Sequence, residues 1–159
     1  MTVTLVLGGA RSGKSAFAER RAGPGSVTYV ATGDAADMPE RVAAHRARRP
    51  STWNTIEASD LVGVLSSVVG TVLVDSLTTW VAGAAGFEAD IDALCRALSS
   101  RSGDTVVVSD EVGLGVHPST EVGRAFRDAL GLVNQAVAAV ADEVLLVVAG
   151  RALVLGAVV

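Results

Sequence analysis

The sequence predicts one α/β domain with a mainly parallel central sheet flanked by helices. Three observations predict it. Short apolar, β-branched runs alternate with longer helical patterns along the 159 residues. Half of those residues are hydrophobic and only 4% are aromatic, so the core must be built from Val, Leu and Ala. Such a core suits buried parallel strands covered by Ala-rich helices. Finally, the first apolar run leads straight into a glycine-rich turn and then a helix pattern, "LVLGGARSGKSAF".

Taken in order, strands are expected at Val3–Leu7, Val27–Ala31, Thr71–Asp75, Thr105–Ser109 and Glu143–Ala149, with "GRALVLG" as a final strand. Helices are expected at Lys14–Arg21, Pro39–Arg49, Ala58–Val68, Ala89–Ser100 and about Glu121–Val140. Pro39 and Glu40 suit a first helical turn, and Pro50 marks an end. "AGPGS" and "AGAAGF" read as turns rather than linkers, and no repeat divides the chain. Residues 1–159 therefore form one domain, whose ligands should bind beyond the carboxyl ends of the strands.

The net charge of −4 offers no general attraction for nucleic acid, and none is expected as a partner. The single cysteine, Cys95, excludes an intrachain disulfide and lies in the helical stripe "DIDALCRALSS", where a buried, unreactive thiol is expected. No basic region precedes "TVTLVL", so no signal peptide is read. The longest apolar stretch is broken by Asn134, Gln135, Asp142 and Glu143, so no membrane span is expected. The expectation is a soluble cytoplasmic protein.

Gly8-Gly9-Ala10-Arg11-Ser12-Gly13-Lys14-Ser15 matches G-x-x-x-x-G-K-[ST], the phosphate-binding loop of P-loop NTPases. Its glycines let backbone N–H groups curl around phosphate, and the following helix presents its positive end. Lys14 should reach the β and γ phosphates, and the Ser15 hydroxyl should help to hold Mg²⁺. Asp75, at the end of "TVLVD", is expected to complete the metal site from a strand neighbouring that of the loop. The alternative for Asp75 is a cap on the next helix.

"DMPERVAAHRARRPSTW" sets His45 among Arg41, Arg46, Arg48 and Arg49. On a helix, Arg41 and Arg49 would lie one turn either side of the histidine. Surrounding positive charge disfavours the imidazolium, so His45 would keep a lone pair for attack on phosphorus while the arginines hold phosphate oxygens. Spacing alone leaves open a solvated basic helix with an incidental histidine. His117, in a loop before Pro118, reads as incidental.

Together, "LGGARSGKS", "YVAT", "RVAAHRARRPSTWNTIE", "VLVDSLTTW", "DEVGLGVHP" and "GRAFRDALGLVNQAVAAVADEVLLVVAG" resemble the bifunctional adenosylcobinamide kinase / adenosylcobinamide-phosphate guanylyltransferase family of cobalamin biosynthesis. The resemblance implies two reactions. A nucleoside triphosphate, ATP or GTP, phosphorylates the aminopropanol hydroxyl of adenosylcobinamide. GTP then donates GMP to adenosylcobinamide phosphate through a GMP-histidine intermediate at His45, releasing pyrophosphate.

It further implies nucleotide contacts at Gly8, Gly9, Ala10, Arg11, Ser12, Gly13, Lys14, Ser15, Ala31, Thr32, Gly33, Arg46, Ala47, Arg48, Arg49, Glu57 and Asp75. Glu57 would accept hydrogen bonds from the guanine N1 and N2 groups; otherwise it is an exposed glutamate at a helix start. Arg124, Phe126, Arg127, Asp128, Asn134 and Gln135 match a block assigned to subunit packing or corrinoid contacts, and the resemblance implies a homotrimer. The chain departs from the pattern in a shorter segment between Thr32 and His45, in Asp110 where the family usually has Asn, and in the tail "LVLGAVV". A P-loop kinase without guanylyl transfer and a non-catalytic GTP-binding protein are the competing readings. The missing N-K-x-D motif of regulatory GTPases counts against the latter.

Overall fold

The structure is a computed structural model and describes residues 1–33 and 49–157. The expected helix Pro39–Arg49 and its His45, Arg46, Ala47 and Arg48 therefore lie outside the described residues, apart from Arg49 itself.

Every residue of β1 (Val3–Gly8) is buried, as a continuous apolar run in the middle of a parallel sheet should be. It leads through the glycine turn into α1 (Lys14–Ala22), then β2 (Val27–Ala31), β3 (Asn54–Glu57) and α2 (Leu61–Ser67). After these come β4 (Thr71–Asp75), α3 (Leu77–Gly83), a short 3₁₀ turn at Ala85–Phe87, and α4 (Ile91–Ser100). The chain closes with β5 (Thr105–Asp110), α5 (Glu121–Val140), β6 (Glu143–Val148) and β7 (Arg151–Val154). Among the described residues, seven strands form one sheet in the order β3-β2-β4-β5-β1-β6-β7, parallel throughout except for antiparallel β7. The sheet is thus mainly parallel and flanked by helices, as expected.

Strand alternation sends side chains to two different cores. Leu5, Leu7, Val72, Val74 and Val107 pack under α2 to α5, against Leu61, Leu77, Leu98 and Leu130. Val6, Leu73, Val106 and Val108 face the opposite side, where Ala18 of α1 covers them. Helix starts follow local chemistry: the side chains of Asp60, Ser76, Asp90 and Thr120 each accept a hydrogen bond from a backbone N–H of their own first turn.

Several expectations need correction. β3 was not foreseen, and the helix implied after Asp75 was given no bounds. β3 is a short edge strand whose residues are mostly exposed, so it lacks the apolar alternation that marks a strand in sequence. α3 is only seven residues long, too short to show a helical period. The helix expected from Ala58 begins at Leu61, because Asp60 caps it. Cys95 is only partly buried, although burial and the nearby Asp92 carboxylate still raise its thiol pKa and keep it protonated. Among the described residues no helix is long and apolar enough to cross a membrane.

Among the described residues, Arg101 is a buried charge with an architectural role. Only 5% exposed, it donates to the carbonyls of Leu65, Val68 and Gly70 and to the Thr105 hydroxyl. It therefore ties the ends of α2 and α4 to the starts of β4 and β5. Arg101→Ala would leave three carbonyls without this donor. It should cost about 3 kcal/mol of stability in urea unfolding.

Candidate nucleotide site

The loop after β1 is shaped by positions where a side chain cannot fit. A Cβ on Gly8 would lie 2.5 Å from Ser12 Oγ and 2.7 Å from the Val147 carbonyl oxygen. Gly13 has φ +93°, and a Cβ there would press to 3.3 Å on Gly150 Cα. Both are places that only glycine fills without strain. The turn is closed by Ser12 N–H donating to the Gly9 carbonyl at 3.3 Å, and Gly150 N–H donating to the Ser12 carbonyl at 2.8 Å. The Ser12 hydroxyl is buried with no hydrogen-bond partner. A buried polar orphan in a glycine turn at the start of a helix is compatible with a phosphate cradle.

Lys14 and Ser15 open α1, and both are buried. Lys14 Nζ donates to the Gly9 carbonyl at 3.2 Å and pairs with Asp110 Oδ1 at 2.5 Å. Asp110 ends β5, directly across the register from Gly8. It was noted in the sequence as a departure from a family pattern, and its pairing with Lys14 went unforeseen. The missing signal was topological: β5 must be known to lie beside β1.

Asp75 ends β4, but β4 is not next to the loop strand as expected; β5 lies between them. Its side chain nevertheless shares the α1 side of the sheet with Leu73 and Val108, and so with Asp110, by alternation. Asp75 does not cap α3, because Ser76 does. Asp75 Oδ2 accepts from the Tyr29 hydroxyl at 2.8 Å. Burial first, and then the Asp75 charge, raise the Tyr29 phenol well above the ordinary tyrosine range, so it stays a donor.

Ala31, Thr32 and Gly33 carry the chain away from the end of β2. The Thr32 hydroxyl donates to the Ser76 carbonyl at 2.5 Å and accepts from the Ser76 N–H at 3.0 Å. A Cβ on Gly33 would meet Thr79 Cγ2 at 3.1 Å, so this residue also permits close approach. These three residues therefore knit β2 to the start of α3 beside Asp75.

Arg49 lies with its guanidinium carbon 3.4 Å from the Tyr29 ring centroid and donates from Nη1 to Thr55 Oγ1 at 3.1 Å. The described chain thus leaves the site at Gly33 and returns to it at Arg49. Glu57 is the exposed last residue of β3 rather than a helix start. Four strand spacings, about 19 Å, separate its strand from that of the loop. The structure thus gathers residues 8–15 with Asp110, places Asp75, Tyr29, Thr32 and Arg49 along the same sheet end, and leaves Glu57 at the far edge.

The block after the β5 loop has work within the chain. Asn134 Nδ2 donates to the Asp110 carbonyl at 3.1 Å, and Arg124 Nη1 donates to the Pro118 carbonyl at 3.2 Å. Phe126 packs edge-on against Phe87 with centroids 5.3 Å apart. His117 is exposed but not isolated, since its Nδ1 lies 2.8 Å from Arg127 Nη1.

Comparison with known proteins now adds to this geometry. Residues 4–155 match the family model described as cobinamide kinase / cobinamide phosphate guanyltransferase. The chain belongs to this family. It is 40% identical over 160 residues to the bifunctional adenosylcobalamin biosynthesis protein CobP of Pseudomonas aeruginosa, covering 92% of each chain. It is 37% identical over 172 residues to each of the CobU proteins of Escherichia coli and Salmonella typhimurium, covering 92% of this chain and 95% of theirs. For this member of the cobinamide kinase / guanyltransferase family, the match spans both the phosphate loop and the β5 strand that carries its counter-ion.

Tyr29 is the chain's only tyrosine, so its environment can be read directly. Its folded-state pKa is raised, so its contribution to stability is complete below the unfolded tyrosine value near pH ~10 and declines above it. Alkaline titration followed by phenolate absorbance should show no ionisation step in the folded protein. The absorbance should rise only together with loss of far-ultraviolet circular dichroism.

Proposed function

We propose that this chain carries out both reactions of its family, and that one phosphate loop serves both. In the first, a nucleoside triphosphate phosphorylates the aminopropanol hydroxyl of adenosylcobinamide. In the second, GTP gives GMP to adenosylcobinamide phosphate, forming adenosyl-GDP-cobinamide and pyrophosphate. The observation that supports this best is a loop already shaped for phosphate, with Lys14 buried in it, inside a chain that matches the family over residues 4–155.

In the kinase step the loop N–H groups and Lys14 hold the β and γ phosphates, so that charge moving onto the leaving diphosphate is met by fixed donors. The substrate hydroxyl oxygen bonds to the γ-phosphorus as the bond to the β-phosphate oxygen breaks, and the hydroxyl proton is released to solvent. Ser15 and Asp75 would hold Mg²⁺, whose role is to neutralise phosphate charge. Mg²⁺ needs only one or two protein groups besides phosphate oxygens. The lack of a three-residue His, Cys, Asp or Glu cluster among the described residues is compatible with that.

In the guanylyl step His45 attacks the α-phosphorus, and pyrophosphate leaves. The substrate phosphate then displaces the histidine, which returns unchanged. Two displacements keep GMP activated after pyrophosphate has gone. Arg46 and Arg48 would hold phosphate oxygens, with the chain beyond them moored at Arg49. A nucleotide with its phosphates in the loop and its base towards β3 would run along the sheet end, past Asp75 and residues 31–33, towards Glu57. The protein is further proposed to work as a homotrimer in the cytoplasm. Leu153 and Val154, 61% and 65% exposed on edge strand β7, offer apolar surface to a second copy.

Incubation with α-labelled GTP and Mg²⁺ should leave an acid-labile GMP adduct on wild-type protein and none on His45→Ala. Label on both, or on neither, would overturn the histidine mechanism. Transfer of γ-label to adenosylcobinamide without an adduct would select the kinase-only reading. Lys14→Ala should lower kcat/KM of both reactions by roughly 100-fold or more, as measured by product formation. Light scattering should give three times the 16.1 kDa chain mass.

A further inference from the structure

Lys14 is the only lysine in the chain, and its side chain is 5% exposed. Its ammonium faces Asp110 at 2.5 Å, in the part of the loop where a triphosphate would place its outer phosphates. The backbone that carries this carboxylate is held in place. Its residue's N–H donates to Thr78 Oγ1 at 2.8 Å, and its carbonyl accepts from Asn134, a buried side chain. The next residue, Glu111, donates its N–H to the Gly8 carbonyl at 3.1 Å. With the strand end held on both sides, the Asp110 backbone stays beside the loop when Lys14 turns to another anion.

We propose that Asp110 is the resting counter-ion of Lys14 and makes the site selective for the metal-bound form of the triphosphate. An incoming triphosphate must take Lys14 from the carboxylate, and the carboxylate then stands beside phosphate oxygens of the same charge. In a partly buried place this repulsion is poorly screened. A divalent cation on the phosphates offsets it. Asp110 therefore penalises the metal-free nucleotide more than the Mg²⁺ complex. The role is distinct from that of Asp75, which lies one strand further from the loop.

The inference rests on the reading of residues 8–15 as a triphosphate site, and the test separates the two. Titration calorimetry with GTP would be run on wild type and on Asp110→Asn, in Mg²⁺ and in EDTA. Wild type should bind metal-free GTP at least roughly tenfold more weakly than Mg²⁺-GTP. Asp110→Asn should tighten metal-free binding by about tenfold, the usual difference between a charged and a neutral partner, and should tighten Mg²⁺-GTP binding less.

In protein labelled with ¹³C-lysine, the single Lys14 side-chain signal should shift on Asp110→Asn and again when GTP binds. Equal affinities of wild type for the two forms would overturn the proposal without need of the variant. So would an Asn variant that weakens Mg²⁺-GTP binding while leaving metal-free binding unchanged, since that pattern marks a metal ligand. If wild type binds GTP in neither condition, the triphosphate reading fails and this inference falls with it.

Discussion

The site depends on one packing constraint: the phosphate loop must fold down between the ends of its neighbouring strands. The parallel register sets Gly8 opposite Asp110 on one side and Val147 on the other. No side chain fits at Gly8, and a Cβ at Gly13 would crowd Gly150, which lies beyond β6. The turn is therefore not a free glycine-rich loop that closes on a ligand. The turn is set by packing within the chain, so a ligand bound there would have little ordering left to cost.

From that constraint the chemistry spreads sideways along the sheet. Strand alternation puts Asp75 and Asp110 on the same side as α1, at the ends of adjacent strands. Each carboxylate has a different partner: Asp110 holds the Lys14 ammonium, and Asp75 accepts from a tyrosine that burial keeps protonated. Tyr29 in turn carries Arg49 on its ring. A row of cationic, acidic and aromatic groups thus lines the same end of the sheet. The hydrogen bonds of Thr32 and Thr78 tie that row to α3.

Much of the fold was legible because the central strands are continuous apolar runs and the longer helices carry a clear period. β3 was not, since an exposed edge strand of four residues has neither signal. Among candidate site residues, the Gly8–Ser15 motif was legible from spacing because it is local, and the structure shows a glycine turn opening α1 there. Asp75 was placed at the right strand end, but its distance from the loop was misjudged, since spacing along the chain says nothing of strand order. Asp110 was seen only as an unusual residue. Asn134, singled out within a motif, proved to brace Asp110, a contact across 24 positions that no local pattern encodes.

By itself, the sequence determined the G-x-x-x-x-G-K-S motif, the α/β class and the family, because each rests on residues close together or on a motif order. Tertiary structure alone decided that Lys14 is paired with Asp110 and that Tyr29 joins Asp75 to Arg49. Lys14 and Asp110 are 96 residues apart, and only the insertion of β5 between β4 and β1 makes them neighbours. Hydrogen bonds between strands, rather than proximity along the chain, choose which charges meet.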